Sequence, residues 1–583
     1  PYRVLYEELN TLVRNRVYGN VALTAHLLPG LDLTLRGGMD MNNDFRTQQK
    51  PKGAKTYING MYKEQTVFDY EMNNDFLLKY QRAFLNDRLT LSAAVGGNEM
   101  RYSYATPKIT APELEIDGVY KLKNSAVTLV TDASRREKGV HSIYEFVNLG
   151  WDDTYFLDIT CRTDWSSTLH PTKWSYTYPS VSASVLLDKA LKINTPYVNM
   201  LKVRASWANV GNDTSPYSLY DAYSKTSLPG GFTLPSTLKD AYINPENVES
   251  WEVGFEGKFL SNRLNFDLAL YKNTTTDQIL GVSQSSETGA TKVMMNAGRV
   301  ENKGIEISLG GRIIATKDFS WDLDVNWATN KNKLKSLYGG IKERMNDASN
   351  PLNAGWWVGK PLGTIYTYRY EGIWQWDDDR VLMDKMKDGR EGGDTYYPGE
   401  NKIADLDGDG QTTTNDREIV GYTDPKGYGG ISTTLNYKNW TLNVIFNYVY
   451  GNDVFNRSYH EYTLGAGYGT LNMFNDELNR WSVNNTSGSI PRAHSNNLDR
   501  MLISSRVMQD GSYLRMKNVT LNYQFPLKWI NKVGLSNLNL YVSGENLLTW
   551  TGFKGADPES VGTGYDETYP NARSFTLGLN VSF

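Results

Sequence analysis

Apolar residues recur at every second position along most of this chain, a period that belongs to β-strands and not to helices. In "LDLTLRGGMD", Leu31, Leu33, Leu35 and Met39 fall on one face, and Asp32, Thr34, Arg36 and Asp40 on the other. "WDLDVNW" sets Trp321, Leu323, Val325 and Trp327 against Asp322, Asp324 and Asn326. "LNLYVSGE" and the closing "RSFTLGLNVSF" repeat the pattern, the last with Phe575, Leu577, Leu579, Val581 and Phe583 in line. The expected fold is all-β. Alternation alone leaves open which face is wet: a soluble sandwich turns its apolar face inward, and a membrane barrel turns it outward.

The punctuation favours the barrel. Short turns rich in Gly, Pro, Asn and Asp stand at 28–30, 85–87, 151–153, 261–262 and 438–439, as expected of hairpins. The connection that follows is usually long, as at about 209–248, 334–425, 453–511 and 549–572. Turns on one side and loops on the other are the arrangement of an antiparallel barrel in an outer membrane. About seventeen strands of roughly ten to thirteen residues are expected; a globular strand averages about five or six, and a tilted membrane strand needs about nine to eleven. The first strand, near 16–26, and the last, at the C-terminus, run in the same sense. An antiparallel sheet closes on an even count, so the chain is expected to be the C-terminal part of a larger barrel.

Composition excludes several alternatives. The chain has 583 residues and a net charge of −4, so nucleic acid is not an obvious partner. Mean hydropathy is −0.51, and no stretch approaches the roughly 20 apolar residues of a membrane helix. Aromatic residues make up 12%, with 39 Tyr and 15 Trp, a content that suits interfacial girdles or sugar-stacking surfaces. The single cysteine, Cys161, rules out an intrachain disulfide and is expected to be a small strand filler. The histidines are scattered, with no zinc-site spacing. No Ser/His/Asp set or spaced carboxylate pair stands out, so no enzyme activity is expected.

One stretch carries a different chemistry. "DLDGDGQTTTND" puts Asp405, Asp407, Asp409 and Asp416 at positions one, three, five and twelve of a calcium loop. Gly410 takes position six, where the chain turns sharply, and Gln411 takes position seven, where a backbone carbonyl coordinates. Carboxylates this close repel one another without a cation. Pro398, Gly399, Gly421, Pro425 and Gly427 exclude long flanking helices. The expectation is a lone loop-stabilising calcium site inside a surface loop; the plainer alternative is an acidic, solvated turn. The nearby Trp356, Trp357, Trp374 and Trp376 either stack on sugar rings, or pack the loop or sit at the membrane interface, and no substrate site is assigned.

Several blocks together resemble one family, the SusC/RagA-type TonB-dependent transporters of the bacterial outer membrane. They include "CRTDWSSTL" (161–169), "YPSVSAS" (178–184), "LKVRASWANVGND" (201–213) and the run from 244 to 280. "NAGRVENKGIEISL" (296–309), "VGKPLGTIYTYRYEGIWQ" (358–375), "DLDGDGQTTTNDREIVGYTDPKGYGG" (405–430), "DGSYLRMKNVTLNYQFP" (510–526) and "YVSGENLLTWTGFKGADPE" (541–559) continue in the family's order. Residues 1–140 fit only as generic barrel strands. The resemblance implies a transmembrane barrel of 22 strands, of which 1–583 would be the C-terminal portion, with a plug and a TonB-contacting segment outside this chain. It further implies import of oligosaccharides or oligopeptides, a SusD-like surface lipoprotein as partner, and a dimer of such pairs. The competing class is a soluble, calcium-stabilised carbohydrate-binding or adhesive β protein.

Overall fold

The computed structural model describes all residues except 1, 227, 229, 284–286, 288, 347–349, 387–397, 464–471, 494–502 and 560–570. Parts of the four long connections expected from the sequence therefore lie outside the described residues. The chain is all-β, with a sheet of twenty strands. Seventeen of these are long. They are β1 (Asn10–Leu28), β2 (Leu31–Ala54), β3 (Tyr57–Phe84), β4 (Leu89–Ala105), β5 (Arg135–Trp151) and β6 (Tyr155–Ser166). Next come β7 (Ser175–Leu186), β8 (Val198–Asn212), β9 (Glu246–Phe259), β10 (Leu264–Ser283), β11 (Lys292–Ala315) and β12 (Phe319–Leu337). The last five are β13 (Gly427–Tyr437), β14 (Trp440–Tyr450), β15 (Tyr513–Gln524), β16 (Asn537–Thr551) and β17 (Ser574–Ser582).

Two compact units share these strands: Pro1–Leu186, Arg204–Trp251 and Thr274–Gly298 in one, Leu187–Val203, Glu252–Asn273 and Arg299–Phe583 in the other. In the first, β1 to β7 pair antiparallel, each with the next. In the second, β12 to β17 do the same. The hairpin turns fall where the sequence places them, and the backbone explains their composition. Gly30, Asn86, Asp87, Asp152, Asp153, Asn262 and Lys438 all take positive φ, which Gly, Asn and Asp tolerate best.

The two faces separate as alternation requires. Arg14, Arg16 and Arg36 reach Asp44, Asp40 and Asp75 at 2.7, 2.6 and 2.7 Å on one face of β1 to β3. Arg312 and Asp322 do so at 2.7 Å on β11 and β12. Part-exposed pairs of this kind add little stability, so they mark a wet face more than they hold the wall together. The opposite face carries exposed Leu35, Leu540, Val542, Leu577, Leu579 and Val581. On the polar face of β16, Tyr541 lies flat over Gly578 of β17, where an added Cβ would come within 2.2 Å of the ring. Tyr271 covers Gly304 in the same way. At the short-turn end of the apolar face, Trp440, Tyr523 and Phe525 stack at centroid distances of 4.6 and 5.0 Å, forming part of an interfacial aromatic girdle.

The strands are longer than expected. β2 has 24 residues and β3 has 28, against the roughly ten a membrane crossing needs. The surplus continues the ladder past the apolar band, where charges occupy both faces and alternation fades; that is why the sequence pattern understates the lengths.

An arginine at outward-facing Leu540 is expected to cost about 2–4 kcal/mol, and one at inward-facing Asn539 close to nothing. Urea titration of both variants in lipid vesicles checks the assignment, which equal destabilisation would contradict.

Candidate metal centre in the loop platform

The segment Thr364–Ile373 is the scaffold of the acidic loop. Thr364–Tyr368 pairs antiparallel with Arg417–Tyr422, and Tyr370–Ile373 pairs with Asn401–Ile403. The chain therefore leaves this small ladder after Ile403 and rejoins it at Arg417, and residues 405–416 form the excursion between. Strands flank the loop, as the Gly and Pro residues required, and not the helices of an EF-hand.

Inside the excursion, backbone amides converge on carboxylates. Asp405 accepts from the amides of Gly408 and Gly410 at 2.8 and 2.9 Å. Asp407 accepts from the Asp409 amide at 3.2 Å and from the Asn415 side chain at 3.1 Å. Asp416 is fully buried and accepts from the amides of Leu406 and Thr413 at 2.8 and 2.7 Å. The Asp416 and Thr413 side chains form a capping box on a single 3₁₀ turn, Thr414–Asp416. Gly408 and Gly410 sit at φ of 75° and 76°, conformations an L side chain rarely adopts.

This geometry brings Asp405, Asp407 and Asp416 together, each offering an oxygen within 4.8 Å of the others. Oxygens that share a calcium at about 2.3–2.6 Å stand at most about 5 Å apart, so the three fit one hard cation. Asp409 is exposed, its carboxylate accepts from the Gln411 amide at 2.7 Å, and it stands outside the converging group of carboxylates.

The surrounding loops interlock, which the sequence did not reveal. A core of Ile365, Phe455, Tyr459, Ile490 and Val507 joins the 334–425 connection to 453–511. Thr367 donates to the Ile503 carbonyl at 2.6 Å, Trp481 donates to Gln375 at 3.0 Å, and the Arg492 amide donates to the Gly399 carbonyl at 2.7 Å. The stretch after β16 ties onto the second of these: Asn456 donates to the Lys554 carbonyl at 2.9 Å, and the Lys554 ammonium reaches Asp476 at 2.5 Å. Arg515 of β15 then clasps Asp557 at 2.6 Å and Glu559, all but burying its guanidinium. His460 is buried beside Arg506 and Arg457, and burial foremost, with those two charges, pushes its imidazole down to about 3, so it stays neutral. Trp374 is buried with Met383 and Met386, Trp357 packs on Tyr366, and Arg344 lies over Trp356. These tryptophans pack the loop; Trp376 alone of the four is half-exposed.

Comparison with known proteins supplies the family. The β-barrel model described as TonB dependent receptor-like matches residues 5–444. TonB-dependent receptor P3 of Formosa agariphila is 28% identical over 618 residues, covering 100% of this chain and 59% of that protein. TonB-dependent receptor SusC of Bacteroides thetaiotaomicron is 26% identical over 616 residues, covering 98% of this chain and 56% of that protein. The chain thus spans less than two thirds of the length of these relatives. A solved structure of the RagAB peptide transporter superposes with a TM-score of 0.83 at 21% identity, over 98% of this chain and 62% of that one; the likeness is one of fold.

Replacing Asp416 by Ala breaks the capping box and leaves the Leu406 and Thr413 amides without their acceptor, at an expected cost to the loop of about 1–3 kcal/mol. Hydrogen exchange should accelerate across 405–416 and stay unchanged in β13 to β16; unchanged exchange in the loop would contradict the assigned role of Asp416.

Proposed function

Because this chain belongs to the TonB dependent receptor-like β-barrel family of the bacterial outer membrane, we propose that it forms barrel wall and surface loops of an energised importer of nutrient oligomers. The family is one of receptors and transporters, not of enzymes, and the match sets aside the soluble adhesive reading. The lumen wall supports passage of a hydrophilic solute: Asn20, Asn73, Asn98, Arg36, Asp75 and Arg162 line one hollow of about 630 Å³. Amides and paired charges of this kind suit sugars or peptide backbones, the two classes proposed as cargo. Coupling to TonB is assigned to the part of the longer relatives that this chain does not cover.

The observation that carries the reading is the loop platform. Connections of this length are uncommon in compact proteins unless they serve a function, and here two of them share a core and a third is tied on by cross-bridges. A preformed surface of that sort lowers the ordering cost of docking. We assign it to a SusD-like surface lipoprotein, in a dimer of transporter–lipoprotein pairs, consistent with SusC among the relatives and RagAB among the solved structures. Such a complex should bury at least about 1,200 Å². Purification from the native membrane in mild detergent is expected to bring the lipoprotein down with the barrel, and a barrel that runs alone would remove the docking assignment.

Calcium in the 405–416 loop is proposed to rigidify the platform, with Asp405, Asp407 and Asp416 as the preformed ligands and Asp409 and the Gln411 carbonyl closing on the ion when it binds. Ligands of this kind take part in no chemistry of their own. Replacing Asp405 and Asp407 by Ala is expected to abolish calcium binding in titration calorimetry and to loosen the loop, leaving the folded barrel intact. Absence of calcium uptake by the unaltered protein at millimolar concentration would sink the metal assignment.

A further inference from the structure

We propose that the outward face of β10, β11 and β12, at the end nearest the long loops, is a binding site for the phosphate-bearing headgroup of a membrane lipid. The argument begins with strand parity. On β10 the outward residues run Phe266, Leu268, Leu270 and then Lys272. On β11 they run Ile313, Leu309 and Ile305 toward Lys303 and Glu301, and on β12 they run Leu323 and Val325 toward Lys331, Lys333 and Lys335. Exposed Leu270, Ile305, Leu309 and Ile313 lie on this face. The opposite parity holds the wet-face contacts: Tyr271 donates to Asn330 at 3.3 Å, Asn330 donates to Asn302 at 3.2 Å, and Arg312 pairs with Asp322.

The lysines therefore stand directly above the apolar band, on the side that faces lipid, where the hydrocarbon gives way to headgroups. They cluster. Lys303, Lys272 and Lys335 approach the one carboxylate, Glu301, at 3.2, 3.5 and 3.8 Å, each from a different strand. Glu301 is largely covered, at 12% side-chain exposure, whereas those three lysine side chains are 40–56% exposed. Lys331 and Lys333 are exposed on the same parity. Three lysines thus converge on one acid, with two more exposed beside them on the same face, and like charges on neighbouring strands oppose pairing unless something neutralises them.

Ordinary reach of long cationic side chains toward water does not require such an excess. On the outward face of β4 and β5, charges beyond the apolar band are matched one to one: Arg101 with Glu99 and Arg135 with Glu137, both at 2.5 Å. The excess on β10 to β12 is local. A lipid whose acyl chains lie on Leu270, Ile305 and Leu309 and whose phosphate sits among the ammonium groups satisfies both halves of the patch. Glu301 at its base spaces the lysines and limits their mutual repulsion.

The test replaces Lys272, Lys303, Lys331, Lys333 and Lys335 together by Gln in one protein and by Arg in another. Each is extracted in mild detergent, washed, and assayed for bound lipid phosphorus by phosphate analysis and mass spectrometry. With lysines near a headgroup surface contributing as usual, the unaltered and Arg proteins should retain phosphorylated lipid and the Gln protein at least about tenfold less. A wash in millimolar inorganic phosphate should leave the lipid in place, and Gln at Lys528 and Lys532, at the opposite boundary, should change nothing. Heat-modifiable gel mobility reports folding; if the fivefold Gln protein does not fold, Lys331→Gln with Lys333→Gln is measured instead. Equal retention by the Gln and unaltered proteins overturns the proposal. So does complete displacement by inorganic phosphate, which identifies a free-anion site.

Discussion

Hydrocarbon offers no hydrogen-bond partners, and each unpaired backbone amide or carbonyl left in it costs several kcal/mol. Every other property of this wall follows from meeting that demand with strands. Continuous ladders, such as the unbroken pairing of Phe68–Phe84 with Leu89–Ala105, satisfy the backbone. They leave side chains to alternate between lipid and lumen. The sequence is then free to place charge on one face, and Arg36 with Asp75 or Arg312 with Asp322 shows what it does with that freedom. Where the hydrocarbon ends the demand relaxes, and lysines appear on the outward face of β10 to β12.

The same constraint decides what was legible in advance. Turn positions were readable because left-handed backbone selects Gly, Asn and Asp, as at Gly30, Asp152 and Asn262. The outward set from Leu31 to Val581 was readable because a period of two has only one solution in lipid. The acidic loop was readable because metal-loop spacing is local; Asp405, Asp407 and Asp416 converge within a dozen residues. Strand ends were not readable, since β2 and β3 run on into water where nothing enforces alternation. The platform was hidden for another reason. Arg515 meets Asp557 and Trp481 meets Gln375 across 42 and 106 residues, and no periodic signal connects positions so far apart.

The loops also differ from the wall in what holds them. The wall needs no core, because lipid covers its apolar face. The platform stands in water and has built small globular cores of its own, around Ile365 and Phe455 in one place and Trp374 in another. Burying a side chain such as Phe455 contributes about 1.5–3 kcal/mol. The clasp of Arg515 on Asp557 and Glu559 matters in another way: a buried ion pair adds little net stability, but losing one partner strands the other charge. It therefore fixes where the last long connection leaves the barrel.

The spacing of the hairpins carries a consequence for assembly. β1, β2, β3 and β4 are joined by turns of two to four residues, so their ladders can zip from the turn outward at almost no cost in chain closure. The pair β12 and β13 must first close a connection of roughly 90 residues, an entropic handicap of about 3 kcal/mol relative to a two-residue turn. Contacts between sequence neighbours form faster than contacts across long loops. Pairing along this wall is thus uneven: the β1 to β4 hairpins and the β13–β14 hairpin form locally, and the β12–β13 ladder waits on closure of the connection between them.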